Sequence, residues 1–483
     1  MRRLTLLLAS ASLSAIGAPA AGETLQDALR QAYQTNPTLT GARAGQRAVD
    51  EGVPIAKSQG MPQLQGSAGY TENVKRSSNS FTSPLRQATG GVNAELPLYQ
   101  GGAVSNSIKA AEARVEAGRA DLRSTEAGVF TDVVAAYMDV IRDQAIVELN
   151  RQNVNVLGTN LRATSDRFEV GDLTRTDVAQ SEARLAIARS QLESAEAQLV
   201  ASRENYTRVV GAPPVDLQPP PPLPGLPADV ASAVDTAVAN NPDLIATRKA
   251  SEAAGHDIDV AKAQRMPKLS AVAGGNYVNY LDTLGAGAGV GGIAFKQSQT
   301  TATVGVSGTI PLYQGGGPGA RVRQAQARAS QSLEQVIFTE RAVVADARSA
   351  YARYSATQAV IRSSESAVSA NELALEGVRA ENSVGTRDIL DVLNAEQELL
   401  NSRVQLVTAR RDEYVAGFGL LAAMGRAEAR DLNLDGGVLY DPELNYRRVR
   451  NRISDWSSDG EPTTQATRTY GPVQPADVTR PQN

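Results

Sequence analysis

Cysteine is absent from all 483 residues, so no structural disulfide holds the chain together and no cysteine is available for lipid attachment. His256 is the only histidine, and a lone imidazole without a cysteine or clustered carboxylate partner reads as a surface residue, not a ligand or a base. Aromatic residues amount to 4% while alanine is abundant, a composition suited to closely packed helices. No run of about 18 apolar residues follows the first twenty positions, which excludes a transmembrane helix and leaves strands as the only way into a membrane. The 48 basic and 52 acidic side chains leave a net charge of -4, which excludes a nucleic-acid surface. Nothing points to catalysis, a cofactor or a metal.

The first twenty residues form an export signal. Arg2 and Arg3 precede an apolar stretch from Leu4 to Ile16, and Ala18-Pro19-Ala20 supplies the small residues read by a signal peptidase. The stretch is too short to span a bilayer, and the arginine pair lies too near the start for a twin-arginine signal.

What remains is a duplication. Asn36-Pro37, Ala56-Lys57 and Met61-Pro62 recur 205 residues later as Asn241-Pro242, Ala261-Lys262 and Met266-Pro267. From Pro97 the offset becomes 214, mapping Leu96-Pro97-Leu98-Tyr99-Gln100-Gly101-Gly102 onto Ile310-Pro311-Leu312-Tyr313-Gln314-Gly315-Gly316, and Val170-Gly171 onto Val384-Gly385. A unit of roughly 200 residues is far longer than a solenoid repeat of about 20 to 50. It is a duplicated structural half.

Within each half the hydrophobic period changes twice. A helical pattern from about 24 to 60 ends at Pro62, and alternation predicts strands over 62–72, 89–99, 267–279 and 300–312. From Ala103 a heptad stripe runs Ile108, Val115, Leu122, Val129, then steps by eleven to Val140, Val147, Val154, Leu161 and Phe168. The step is a coiled-coil stutter, repeated in the second half between Val343 and Tyr354. A helix over 102–168 is roughly 100 Å long, against around 58 Å for the return helix 173–211 and 55 Å for 24–60. The two shorter helices, stacked end to end beside the long one, balance its length.

Four strands cannot close a barrel, and open edges cannot face lipid, so chains must assemble. Two chains give eight strands and a filled interior; three give twelve and an aqueous channel, which favours a trimer. Tyr70, Tyr99, Tyr277, Tyr280 and Tyr313 fall at segment ends, where either an interfacial belt or ordinary junction packing places them. Gly285 to Gly292 lacks the lysine and the strand-helix setting of a phosphate loop and reads as a flexible extracellular loop.

The Leu-Tyr-Gln-Gly-Gly junction, the duplicated strand-strand-long-helix plan and the turn Val384 to Arg387 followed by Asp391-Val392-Leu393 resemble the TolC-like outer-membrane efflux proteins over about residues 23 to 426. The resemblance implies an α+β membrane protein: a homotrimer with a twelve-stranded outer-membrane β-barrel in lipid, continued by a periplasmic α-helical barrel. It also implies a passive exit duct of a Gram-negative tripartite efflux or type I secretion system, docked to a periplasmic adaptor and an inner-membrane transporter. Thr176, Asp177 and Arg387 fall where that family locks its periplasmic entrance, and Asp391 where carboxylates ring it. Asn394 replaces the second acidic position of the ring and Asn382 a tyrosine of the lock. Val170, Gly171, Val384 and Gly385 fall at the helix tips, where the resemblance places adaptor contact and where glycine turn chemistry alone also explains them. Without the motif, Asp177, Arg387 and Asp391 read as a solvated helix face.

The expected organisation is a signal peptide over 1–20, a first repeat over 21–211, a proline-rich linker over 212–227, a second repeat over 228–426, and a tail over 427–483 disordered from about 455. The alternative function is an exported coiled-coil structural or adhesive protein whose strands form a small soluble sheet.

Overall fold

The computed structural model describes residues 22–75, 83–285, 295–432, 434 and 439–470. The expected signal peptide, most of the Gly285 to Gly292 loop and the end of the tail lie outside the described residues.

The two halves repeat one plan. In the first, helices α1 (Leu25–Thr35), α2 (Pro37–Asp50) and α3 (Gly52–Ser58) lead to strands β1 (Gln63–Glu72) and β2 (Arg86–Tyr99), then to α4 (Ala103–Glu169) and α5 (Arg175–Val210). The second runs α6 (Val230–Asn240), α7 (Pro242–Ala263), β3 (Lys268–Asn279), β4 (Ser298–Thr309), α8 (Gly317–Ser383) and α9 (Ile389–Ala423). A last helix, α10 (Pro442–Val449), lies in the region expected to be tail. Both long helices have 67 residues, about 100 Å at the helical rise.

The single helix expected from 24 to 60 is three, because proline interrupts it twice. Pro37 holds Asn36 in an extended conformation (ψ 126°), and the Asn36 side chain then caps α2 by accepting from the Thr38 N–H at 2.9 Å. Pro54 removes the N–H that the Asp50 carbonyl needs, so α2 gives way to α3. The second half keeps the first break, at Asn241-Pro242, but has no counterpart of Pro54, and α7 runs unbroken for 22 residues. The Asn-Pro pair also makes the seam. Asn36 Nδ2 donates to the Val209 carbonyl at the end of α5 at 2.9 Å, and Asn241 Nδ2 to the Ala423 carbonyl at the end of α9 at 3.2 Å. Each side chain thus caps one helix and satisfies the orphan carbonyl of the helix stacked on it.

The strands form one antiparallel sheet in the order β1-β2-β3-β4. Its register sorts the side chains. Leu64, Ala94, Ala273 and Val304 lie in one cross-strand row, with Val92, Leu96, Ala271 and Val306 on the same face. The opposite face carries Gln65, Asn93, Gly274 and Thr303 in a row, flanked by Ser67, Glu95, Asn276 and Thr301. One face is apolar and the other small and polar, the division a barrel wall needs between lipid and lumen. Among the described residues, the outer edges of β1 and β4 are unpaired in the protomer.

The main core sits where α1, α4, the end of α5, the end of α9 and the tail converge, around Leu29, Phe130, Tyr137, Tyr206 and Phe418. Fully burying a side chain such as Phe130 contributes about 1.5–3 kcal/mol. The heptad stripe of α4 is buried from Val115 to Val147 and opens toward the tip, where Phe168 is exposed. On α8, Leu333, Phe338 and Leu373 face outward with no cover within the protomer.

Beyond Val449 the described tail has neither helix nor strand. It is nonetheless tied back: Asp459 accepts from Arg448 at 2.8 Å and pairs with Arg452 at 3.2 Å.

Candidate functional site at the two helix tips

Both long helices end by the same device. Gly171, at φ 82°, lets the chain leave α4 in the left-handed conformation; its N–H donates to the Phe168 carbonyl at 2.9 Å, and the Asp172 N–H to Arg167 at 2.9 Å. At the other tip the Gly385 N–H donates to Asn382 at 3.0 Å and the Thr386 N–H to Glu381 at 3.0 Å. This six-to-one, five-to-two pairing closes the helix carbonyls. It leaves Val170 and Val384, 80% and 73% exposed, as apolar points on the two tips.

The charges around this shared backbone differ. At the first tip Arg167 pairs with Asp172 at 2.8 Å, and Thr174 and Asp177 form a capping box that starts α5. The Asp177 carboxylate accepts from the Thr174 N–H at 2.9 Å and from its hydroxyl at 2.8 Å, and these bonds hold its pKa below the ordinary carboxylate value. Thr176 is exposed beside it. At the second tip Asp388 begins α9 without a side-chain cap. Arg387 instead donates to Glu381 at 2.8 Å and to Asp391 at 3.4 Å, and the two carboxylates, Glu381 foremost, keep its guanidinium charged. Asn382 donates its amide to the Arg387 carbonyl at 2.7 Å and braces the turn. Asp391 also suits its helix end, lying in the first turn of α9.

The sequence-predicted residues therefore form two clusters within the protomer. Arg387 and Asp391 are joined; Thr176 and Asp177 lie on the other hairpin, and among the described residues no ion pair links Asp177 to Arg387. Asn394 connects the hairpins, accepting from Arg184 on α5 at 2.7 Å beside the packed side chains Leu157, Leu185, Ala188 and Leu393. Sequence reasoning missed Arg184 and Glu381. Glu381 was detectable as a carboxylate in the last turn of a helix, where it is unfavourable unless a cation sits nearby.

The profile of the family described as "Outer membrane efflux protein" matches residues 28–212 and 233–426, one segment for each structural half. The chain belongs to the outer membrane efflux protein family. It is 35% identical over 436 residues to the outer membrane efflux protein BepC of Brucella suis, covering 90% of this chain and 92% of that one. It is 29% identical over 446 residues to the outer membrane protein TolC of Vibrio cholerae, covering 89% and 97%. The fold is similar to the CmeC outer membrane channel of Campylobacter jejuni, with a TM-score of 0.73 at 15% identity over 94% of this chain and 98% of that one.

The protein is an outer-membrane channel of this efflux family, an exit duct whose helical barrel extends into the periplasm. Three copies pair their open β1 and β4 edges into a twelve-stranded barrel. The adhesive or structural coiled-coil alternative has no support from the family.

Proposed function

We propose that this efflux channel is entered at the two tips, where it docks to a periplasmic adaptor fed by an inner-membrane transporter, and that Arg387 is the movable part of its lock. The observation that carries the reading is the difference between two otherwise repeated tips. The first is closed by a capping box that uses up Asp177 locally, while the second holds Arg387 only through two exposed ion pairs. Exposed pairs of this kind are weak and screened by salt. Arg387 therefore exchanges partners at little cost, leaving Glu381 and Asp391 for the Thr176-Asp177 corner of the neighbouring helix pair when the entrance is shut. Asp391, repeated three times around the axis, places negative charge in the narrow opening and favours cations there.

Val170-Gly171 and Val384-Gly385 supply the adaptor contact: small turns, each with one exposed valine. The test of the lock is single-channel conductance in planar bilayers. Arg387→Ala and Asp177→Ala are each expected to raise it, and unchanged conductance in both removes the proposed lock. Docking is checked by placing a cysteine at Val384, which in this cysteine-free chain gives a single crosslinking site; failure to capture the adaptor in cells argues against the tip contact.

A further inference from the structure

The C-terminal segment climbs toward the membrane and turns back. Tyr440 donates its N–H to the Tyr33 hydroxyl at 2.9 Å, Asn445 Nδ2 donates to Asp50 at 2.8 Å, and Lys57 Nζ donates to the Arg450 carbonyl at 2.8 Å and to Asn451 at 3.2 Å. The tail thus rises from 440 to 451 in step with 33 to 57, the path that leads into β1 at Gln63. The descent is marked by Asp459, which returns to Arg448, and by Thr467, whose hydroxyl lies where a side chain on Gly211 would stand. Between these limbs is a turn closed by Ser457 Oγ donating to the Ser454 carbonyl at 3.0 Å. Ile453 and Trp456 form its apex, 81% and 99% exposed.

The apex stands at the neck below the barrel. Lys57 lies three residues before Gly60, about 4.5 Å along a helix, and Gly60 packs toward Val104 at the start of α4, immediately after the strands. The neck is basic. Lys262 is paired with Asp259 at 2.9 Å, but residues 263–268 add Arg265 and Lys268, residues 315–328 add Arg321, Arg323 and Arg328, and neither of these stretches has a carboxylate. Lys57 and Arg450, beside the apex, have no carboxylate partner among the described residues. A fully exposed tryptophan in a tethered turn is unusual for a residue with so much apolar area. Tryptophan's favoured place at a membrane is the headgroup level, and basic side chains next to it meet anionic phospholipid.

We propose that the turn 453–456 is an interfacial anchor seated in the periplasmic leaflet of the outer membrane, with Trp456 among the phospholipid headgroups and Lys57, Arg450 and the basic neck on their phosphates. The anchor fixes the rotation and height of the helical barrel relative to the bilayer at three points around the trimer. It rests on the outer-membrane position of the barrel and is independent of the lock.

Trp456 is the only tryptophan, so intrinsic fluorescence reports this turn alone. The full-length trimer is placed in nanodiscs of phosphatidylcholine and phosphatidylglycerol, with barrel insertion established separately by heat-modifiable migration. Failure of that control is a failure of the channel, not of the anchor. In inserted trimer, Trp456 emission is expected to shift to the blue relative to the denatured chain and to be quenched by lipid brominated near the glycerol backbone. Lys57→Glu with Arg450→Glu is expected to weaken the quenching, as is omission of phosphatidylglycerol. Emission of a water-exposed indole, quenched by acrylamide and untouched by bromolipid, overturns the proposal. So does a blue-shifted emission that bromolipid does not quench, which assigns the cover to another copy of the chain.

Discussion

Asp177 and Asp391 stand at the same position of the two halves, 214 residues apart, and hold different partners. Asp177 folds back on Thr174, the residue that starts its own helix, whereas Asp391 reaches Arg387 in the turn before it. The divergence follows from two substitutions. Threonine at 174 is a hydroxyl donor for the box, and its counterpart Asp388 is a second carboxylate that cannot donate to Asp391. Asp391 is thereby left for a cation. Duplication builds two equivalent tips, and the exchanges of Thr174 for Asp388 and of Leu173 for Arg387 give one of them a charge pair that can move.

Because hydrogen bonds from Thr174 depress the Asp177 pKa, its contribution belongs to the ionised form. It is complete at neutral pH, fades as pH falls below the ordinary carboxylate value of about 3.9, and is lost through the lower native value. Asp177→Asn is expected to reproduce the acid effect at neutral pH, and Thr174→Ala to remove about 1 kcal/mol of local stability. Hydrogen exchange of the first turn of α5, accelerated about fivefold in Thr174→Ala at pH 7, is the measurement; equal exchange in wild type and both variants denies the box any role.

Block of the channel by a trivalent cation tests the charge at the entrance. Asp391→Asn is expected to abolish it. Asn394→Asp is expected to strengthen it by less than the added charge suggests, because Arg184 already lies 2.7 Å from the Asn394 oxygen and neutralises part of a new carboxylate. A block that survives Asp391→Asn places the cation elsewhere in the lumen.

Four glycines with positive φ separate two kinds of turn. At Gly171 and Gly385, with φ of 82° and 79°, no atom comes within 4 Å of the place a methyl would take, so alanine there carries only the left-handed penalty of about 1–2 kcal/mol. A Cβ on Gly425 stands 2.5 Å from the Asn240 carbonyl oxygen, and one on Gly211 stands 2.8 Å from Thr467 Oγ1. Alanine at either tip is expected to leave heat-stable trimer in the membrane, while Gly425→Ala, which meets backbone that cannot yield, is expected to reduce it severely. Trimer yield in membrane fractions decides; equal yields refute the distinction.

The period of the sequence displayed most of this fold because the strands and long helices are regular and twice repeated. The four strands, to within three residues at each end, and the long helices follow from alternation and heptads carried by residues such as Val304, Val306, Val115 and Leu122. The break at Asn36-Pro37 was carried by the same motif that revealed the repeat, yet its role at the seam depends on Val209, 173 positions away, which no local pattern reports. Helix α10 was overlooked although Asp441-Pro442-Glu443 has the form of a helix start, because a polar tail surrounds it. At the tips, residue types were visible but partners were not: Thr174, not Arg387, holds Asp177 within the protomer.

Tyr206 and Glu23 form a clasp that seats the segment leading into α1. The Tyr206 hydroxyl donates to Glu23 Oε1 at 2.6 Å and the Val215 N–H to Oε2 at 3.0 Å, while Tyr137 donates to the Glu23 carbonyl at 2.9 Å and to the Gln218 carbonyl at 2.6 Å. Both rings are fully buried. Burial first, and the Glu23 carboxylate next, push the Tyr206 phenol far above its ordinary pKa, so it stays a neutral donor across any pH at which the trimer is handled. Tyr206→Phe keeps the packing and removes one donor from the half-buried Glu23 carboxylate, a loss of about 1.5 kcal/mol, the low end for a hydrogen bond to a charged group. Glu23→Gln keeps an acceptor but weakens it, and the double variant is expected to be less destabilised than the sum, since each change removes the same bond. The readout is the temperature at which trimer dissociates in detergent, measured for all four chains of the cycle. Additive losses, or no loss in Tyr206→Phe, assign the seating of this segment to the apolar core around Leu25 and Leu29 instead.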